Sequence, residues 1–307
     1  MSQTPRVGFL GPQGTFTHEA VRALGYDLAS AVAYPSIYDV LDAVAQGELD
    51  SAVVPIENAI EGTVSATIDA LVFDFDLVIQ HEIVLPIHLH LLAKPGRTRA
   101  DITSVASYTH ALAQCRKYLA AGGWTDIRSL ASTADAAQFV SQSDEAVAAI
   151  ASDLAGELYG LVALESRIED YDDNHTRFVV VGRDHIPAAT GHDRTSIVCF
   201  QEADRPGSLY AILGRFAARE INLTKLESRP TKRGIGEYCF VMELEGHVAD
   251  EAVADCLTDV QAHLTRVKFL GSYPVTGESA DIRREEITVA RTEAETWMQS
   301  VRRRIRS

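Results

Sequence analysis

Short apolar runs that alternate with capped, periodic segments restrict the fold of this chain more than any other feature. Residues 6–10, 51–54, 104–107, 146–151 and 178–181 read as buried strands. The segments between them carry helix start and stop signals. Ser36 and Asp39 form a capping box ahead of Ile37, Val40, Leu41 and Val44, and Gly47 closes that stretch. Ser132 with Asp135 opens a second helix, and Gly122-Gly123 ends a third. This alternation places residues 6–182 in α/β layers. Residues 77–92, apolar and interrupted by Pro86, read as two strands crossing between lobes.

The pattern changes after 183–193 (RDHIPAATGHD), whose Pro, Gly and polar residues mark a boundary. Beyond it, 195–201 reads as a strand, and Pro206-Gly207 leads into a helix through Leu209, Ile212, Leu213 and Phe216. Two strands follow at 223–228 and 237–244, with Lys232-Arg233-Gly234 as their turn. A helix over 249–264 and a strand over 267–273 complete βαββαβ, the order of a ferredoxin-like sandwich. Residues 278–307 form a charged helical tail ending Arg302-Arg303-Arg304-Ile305-Arg306, read as a solvated face rather than a nucleic-acid patch.

Composition narrows the function. A length of 307 residues suits two or three domains. The formal charge of −15 opposes binding to nucleic acid. No apolar run is long enough to cross a bilayer, so no membrane partner is expected. The N-terminus shows no basic region ahead of an apolar one, and Cys115, Cys199, Cys239 and Cys256 form no close pair. Both points favour a cytoplasmic protein with reduced thiols. His88 and His90 share a strand face with no further ligand at metal spacing, so they read as packed or surface residues and no metal is expected.

Polar loops follow the strands: 11–17 (GPQGTFT), 55–63 (PIENAIEGT), 107–114, Ser132-Thr133 and Ala151-Ser152. Ligands of open α/β sheets gather beyond the carboxyl ends of strands, near helix N-termini that favour anions, so these loops are expected around one cleft. In 174–178 (NHTRF), an amide, a hydroxyl and a guanidinium precede an apolar run. That set suits a small carboxylate ligand, although such a string alone is more often the polar start of a strand. The glycines Gly8, Gly11 and Gly14 do not make the dinucleotide pattern, the phosphate-loop motif is absent, and no nucleophile elbow appears. Glu57 reads as a cap or structural pair, with catalysis as the other reading.

Five of these stretches in order resemble the prephenate dehydratase family: GPQGTFT (11–17), VPIENAIEGTV (54–64), Ser107 to Gln114-Cys115, STADAA (132–137) and NHTRF (174–178). RPGSLYAIL (205–213) and INLTKLESRP (221–230) resemble an ACT regulatory domain. The resemblance covers roughly residues 6–275. It implies a catalytic domain over 1–185 with two lobes like those of type II periplasmic binding proteins, an ACT domain over 194–275 and a tail over 276–307. It implies decarboxylative dehydration of prephenate to phenylpyruvate, a step that needs no cofactor because the ring takes up the electrons. Carried over by position, Thr176, Arg177, Asn58, Ser107 and Gln114 are the catalytic set; Thr15, Phe16, Ser132, Thr133 and Phe178 bind substrate. Arg177 is expected on the retained pyruvyl carboxylate or bracing Thr176, with an ion pair between lobes as the structural alternative. Tyr108-Thr109-His110 is the visible departure, which puts a site role for His110 in doubt.

In the second unit, the start of a helix at Pro206-Gly207-Ser208-Leu209 offers backbone N–H groups to an amino-acid carboxylate. The resemblance names phenylalanine as the effector, with Gly207, Ser208, Leu209, Asn222, Leu223 and Glu227 as its site, and implies a homodimer or homotetramer. Two rivals stand beside this reading: arogenate dehydratase, and a non-catalytic sensor of small acids with an ACT dimerisation module.

Overall fold

The structure, a computed structural model, describes residues 5–200, 206–232, 237–263, 266–276, 296–298, 300, 302 and 303. Contacts divide the chain into two compact units. One comprises Met1–Ala70 with Ile83–Val181, the other Leu71–Glu82 with Gly182–Ser307.

The first unit holds two lobes. Its first lobe begins β1 (Val7–Leu10), α1 (Phe16–Ala23), β2 (Val32–Tyr34), α2 (Ile37–Ala45), β3 (Ser51–Asn58), β4 (Gly62–Thr63) and α3 (Ser65–Asp69). β5 (Val78–Pro86) leads to the second lobe, where β6 (His90–Ala93), β7 (Ser104–Tyr108), α4 (Thr109–Gln114) and α5 (Arg116–Gly122) come first. β8 (Asp126–Leu130), α6 (Thr133–Gln142), β9 (Val147–Ala151), α7 (Asp153–Tyr159) and β10 (Val162–Glu165) follow, and β11 (His175–Gly182) returns to the first lobe.

The sheet orders are β2-β1-β3-β11-β5, with β4 beside β3, and β8-β7-β9-β6-β10. They correspond position by position, each with one strand (β11 or β6) that arrives by a crossover. This is the two-lobe α/β arrangement expected from the sequence. β1 runs parallel to β2 and β3, and β7 parallel to β8 and β9, so the loops after these strands leave each sheet at one end. Phe9, Val53, Phe178 and Val180 form part of the first core; Leu91, Val105, Ala148 and Ile150 form part of the second.

Local chemistry explains the helix positions. Ser36 and Ser132 accept from the backbone N–H of Asp39 and Asp135 and cap α2 and α6. Gly123 ends α5 in the left-handed region at φ 72°. Gly8 lets α2 close on β1, since a Cβ there would stand 2.7 Å from Val40 Cγ2 of α2 and would also meet Leu49 Cδ1. Strands β2, β8 and β10 were not expected from the sequence. They are short and half-exposed, so no buried apolar run marks them. β11 starts at His175, three residues ahead of the expected 178–181 run, and that shift governs which side chains reach the cleft.

The second unit contains β12 (Asp193–Phe200), α8 (Ser208–Ala217), β13 (Leu223–Pro230), β14 (Tyr238–Glu245), α9 (Glu251–His263) and β15 (Arg266–Pro274). Its antiparallel sheet, ordered β13-β14-β12-β15, is the ferredoxin-like unit expected. Ile197, Met242 and Leu244 meet Ile212, Phe216, Val253 and Val260 in its core. Residues 71–82 pack within this unit: Lys268 Nζ donates to the carbonyls of Val72 at 3.2 Å and Phe75 at 2.8 Å. Arg194 Nη1 lies 2.6 Å from the buried carboxylate of Glu82. Most of the expected turn at 232–234 and of the charged tail lies outside the described residues.

Candidate active site

Loops leaving the parallel strands of both lobes surround a cleft of ≈ 830 Å³ in the first unit. Thr15, Phe16 and Thr17 at the start of α1 line it, as do Ser132 and Thr133 at the start of α6. Thr15 Oγ1 accepts from His18 N at 3.3 Å and donates to the Leu10 carbonyl at 3.1 Å, so that hydroxyl serves as a cap. Ser132 Oγ likewise accepts from Asp135 N at 2.9 Å. The lining residues include no Lys or Arg. An anion in the cleft therefore meets the positive ends of helices and polar side chains rather than a Lys or Arg.

One hydrogen-bond chain crosses the site. Asn58, at the end of β3, directs Nδ2 to Asn174 Oδ1 and to Thr176 Oγ1, both at 2.9 Å. Asn174 Nδ2 donates to Gln114 Oε1 at 3.1 Å, and Gln114 Nε2 reaches Glu61 Oε1 at 3.4 Å. Glu61 Oε2 meets His110 Nδ1. The orientation of the Asn58 amide is forced, because its Oδ1 accepts from the backbone N–H of Ile60 and of Glu61, each at 3.0 Å. Its Nδ2 must then donate to Thr176, and the Thr176 hydroxyl keeps its own proton for a ligand. Thr176 is buried yet lines the cleft.

Of the expected catalytic set, Thr176, Asn58 and Gln114 are brought together in the cleft. Ser107 and Arg177 are not among its walls. Successive side chains of a strand face opposite ways, so with β11 starting at His175, Asn174, Thr176 and Phe178 reach the cleft while Arg177 does not. Arg177 is buried and gives Nη2 to Glu57 Oε2 at 2.8 Å, a pair between neighbouring strands of a single lobe's sheet. That placement corrects the alternative of an ion pair between lobes and lends no support to a grip on a carboxylate. Ser107 is fully buried and donates Oγ–H to the Ile150 carbonyl at 2.6 Å, so its hydroxyl is spent on the second-lobe sheet. Thr15, Phe16, Ser132, Thr133 and Phe178 all line the cleft.

Sequence reasoning passed over Glu61 and left the role of His110 in doubt. Both line the cleft, and their pairing depends on a loop after β3 meeting α4, which no spacing in the chain displays. His88 and His90 pair instead with Glu169 and Asp153, at 2.9 Å and 3.3 Å. Among the described residues no group of His, Cys, Asp and Glu could hold a metal.

In the second unit, Gly207 caps α8 at φ 88° with no side-chain cap bond, which leaves the helix start as a cradle of backbone N–H groups. Ser208 and Leu209 form the first turn of α8, and Leu223 packs against the core. Asn222 is exposed just before β13, and Glu227 accepts from Arg229 Nη1 at 2.6 Å along that strand.

Comparison with known proteins identifies similar chains. The family model described as prephenate dehydratase matches residues 7–186, and that of the ACT domain matches residues 195–261. A prephenate dehydratase of Bacillus subtilis (strain 168) is 39% identical over 279 residues, covering 87% of this chain and 98% of the relative. A crystal structure of prephenate dehydratase from Arthrobacter aurescens in complex with L-Phe has 35% identity and a TM-score of 0.80, covering 97% of this chain and 99% of that one. The structure of GqqA, described as a novel type of quorum-quenching acylase, has 29% identity and a TM-score of 0.79, covering 88% and 98%.

Proposed function

This chain belongs to the prephenate dehydratase family and carries an ACT domain, and from that premise we propose how its own residues perform the reaction. The substrate is prephenate, a dianion. Its ring carboxylate leaves as CO2, the electron pair of that bond completes the aromatic ring, and the ring hydroxyl departs with its bonding pair. Phenylpyruvate and hydroxide remain, and the hydroxide takes a proton to become water.

The observation that carries this reading is the hydrogen-bond chain from Gln114 through Asn174 and Asn58 to Thr176. Thr176 donates to the departing oxygen, where negative charge develops, and Asn58 holds the hydroxyl in that direction. A donor of this kind is worth roughly 3–4 kcal/mol at the transition state. The absence of Lys and Arg from the lining suits the chemistry. A cation clamped on the ring carboxylate would stabilise the ground state and oppose loss of neutral CO2. The starts of α1 and α6 serve the retained carboxylate, with Thr15, Phe16, Ser132, Thr133 and Phe178 shaping the cleft around it.

The ACT domain is the phenylalanine site. The carboxylate binds the backbone N–H groups at Gly207, Ser208 and Leu209, Leu223 lies against the ring, and Asn222 and Glu227 take the ammonium. Phenylalanine regulates by favouring one state of the catalytic cleft over another. The two ends of the four-stranded sheet, β13 and β15, are edges of the kind that a second copy covers, in a homodimer or homotetramer. Four buried free cysteines suit a reducing, cytoplasmic setting.

Incubating the protein with prephenate and following phenylpyruvate absorbance tests the proposal; no turnover would overturn it in favour of the sensor reading.

A further inference from the structure

Glu61 and His110 form a side-chain pair at the cleft whose purpose is not stability. Their side chains are 40% and 51% exposed, an accessibility at which such pairs add little to folding. The pair is nevertheless closely built. Asn58 Oδ1 accepts Glu61 N–H at 3.0 Å, so the amide that directs Thr176 also anchors Glu61. The His110 ring stacks on Tyr108 with centroids 5.0 Å apart and planes 9° from parallel, which fixes the imidazole. Both Glu61 oxygens are engaged: Oε2 by His110 Nδ1, and Oε1 by Gln114 Nε2 at 3.4 Å. The other acidic lining residue, Asp135, already accepts from Ser132 Oγ at 2.9 Å.

Prephenate and arogenate share one skeleton and differ at the side-chain carbon. A ketone oxygen only accepts hydrogen bonds, whereas an ammonium carries charge and donates three. A carboxylate with an open oxygen draws the ammonium; one whose oxygens are already bonded by an imidazole and an amide is less open to it. We infer that the His110–Glu61 pair sets the substrate preference of the cleft, occupying the carboxylate that would otherwise receive an amino group and so favouring the keto acid. His110 is thus a positioning residue that acts through Glu61. This inference rests on the dehydratase reading of the cleft.

The test measures kcat/KM for prephenate and for arogenate with the full-length protein, His110→Ala, Glu61→Gln and the double variant. His110→Ala should raise the arogenate-to-prephenate ratio about tenfold, chiefly through a lower KM for arogenate. Glu61→Gln in that background should return the ratio to its starting value, because the freed carboxylate is gone. A ratio unmoved by His110→Ala, or a rise that survives in the double variant, overturns the inference while leaving the dehydratase reading intact. Failure of the unaltered protein to consume prephenate overturns both.

Discussion

Asn58 Nδ2 and Thr176 Oγ1 lie 2.9 Å apart, and two backbone N–H groups on Asn58 Oδ1 fix which atom is the donor. The arrangement spends an amide to aim a hydroxyl. Its consequences can be separated from simple binding.

Asn58→Asp places a carboxylate oxygen where Nδ2 stood, facing Thr176 Oγ1 and Asn174 Oδ1. The Thr176 proton would turn to that carboxylate and leave the cleft. We expect kcat to fall by on the order of 10²-fold or more while KM changes far less, since the interaction belongs to the transition state. Equal losses in Asn58→Asp and in a variant at an exposed loop position would contradict the account.

The Arg177–Glu57 pair gives an opposite pattern. Arg177 is buried and Glu57 is partly exposed, so the pair is partly screened. Glu57→Gln should cost about 1–2 kcal/mol of stability, seen in urea unfolding, with KM for prephenate within about twofold. An unchanged unfolding midpoint with a KM raised tens of times would instead put Arg177 on the substrate.

What could be read from the chain, and what could not, follows from the range of each interaction. The Ser36 and Ser132 caps were legible because an N-cap needs only a partner three residues on. The βαββαβ unit was legible because buried runs and turn residues alternate through it. Arg177 was misplaced because the side of a strand that a residue faces depends on where the strand begins, and polar Asn174 and His175 hid the start of β11. Ser107 sits at the end of a correctly recognised strand, yet its hydroxyl is taken by Ile150 from a neighbouring strand, a tertiary contact without local trace. Glu61 and its pairing with His110 escaped for the same reason.

The thiols should be inert in the native protein. Burial pushes Cys115 and Cys199 up to about 12 and Cys256 up to about 11. All four cysteines are buried, so at pH 8 a disulfide reagent should label none of them on the timescale of minutes, and all four after denaturation. Rapid native labelling of Cys115 would contradict the packing of the second lobe.

Stability should fall on mild acidification. Burial, with a smaller contribution from the Arg22 charge, lowers the pKa of His18 from its ordinary 6.5, and burial does the same to His90. Below 6.5 the unfolded chain binds protons that the folded protein resists, so stability is full above that value and declines as pH drops towards the lowered folded values. Glu19, raised by burial, contributes with the opposite sign in the range above its ordinary 4.5. Comparison with His18→Gln isolates one histidine: the variant's melting temperature should depend less on pH between 7 and 5. Identical slopes would contradict burial of a neutral His18 against Phe9.

The most direct measurement is the steady-state turnover of prephenate by Thr176→Val beside Thr176→Ser, read as phenylpyruvate formed. If the hydroxyl stabilises the departing oxygen, valine should lower kcat by about 10²–10³-fold at nearly constant KM, and serine should retain kcat within about tenfold. A valine variant that turns over prephenate at the unaltered rate would contradict it.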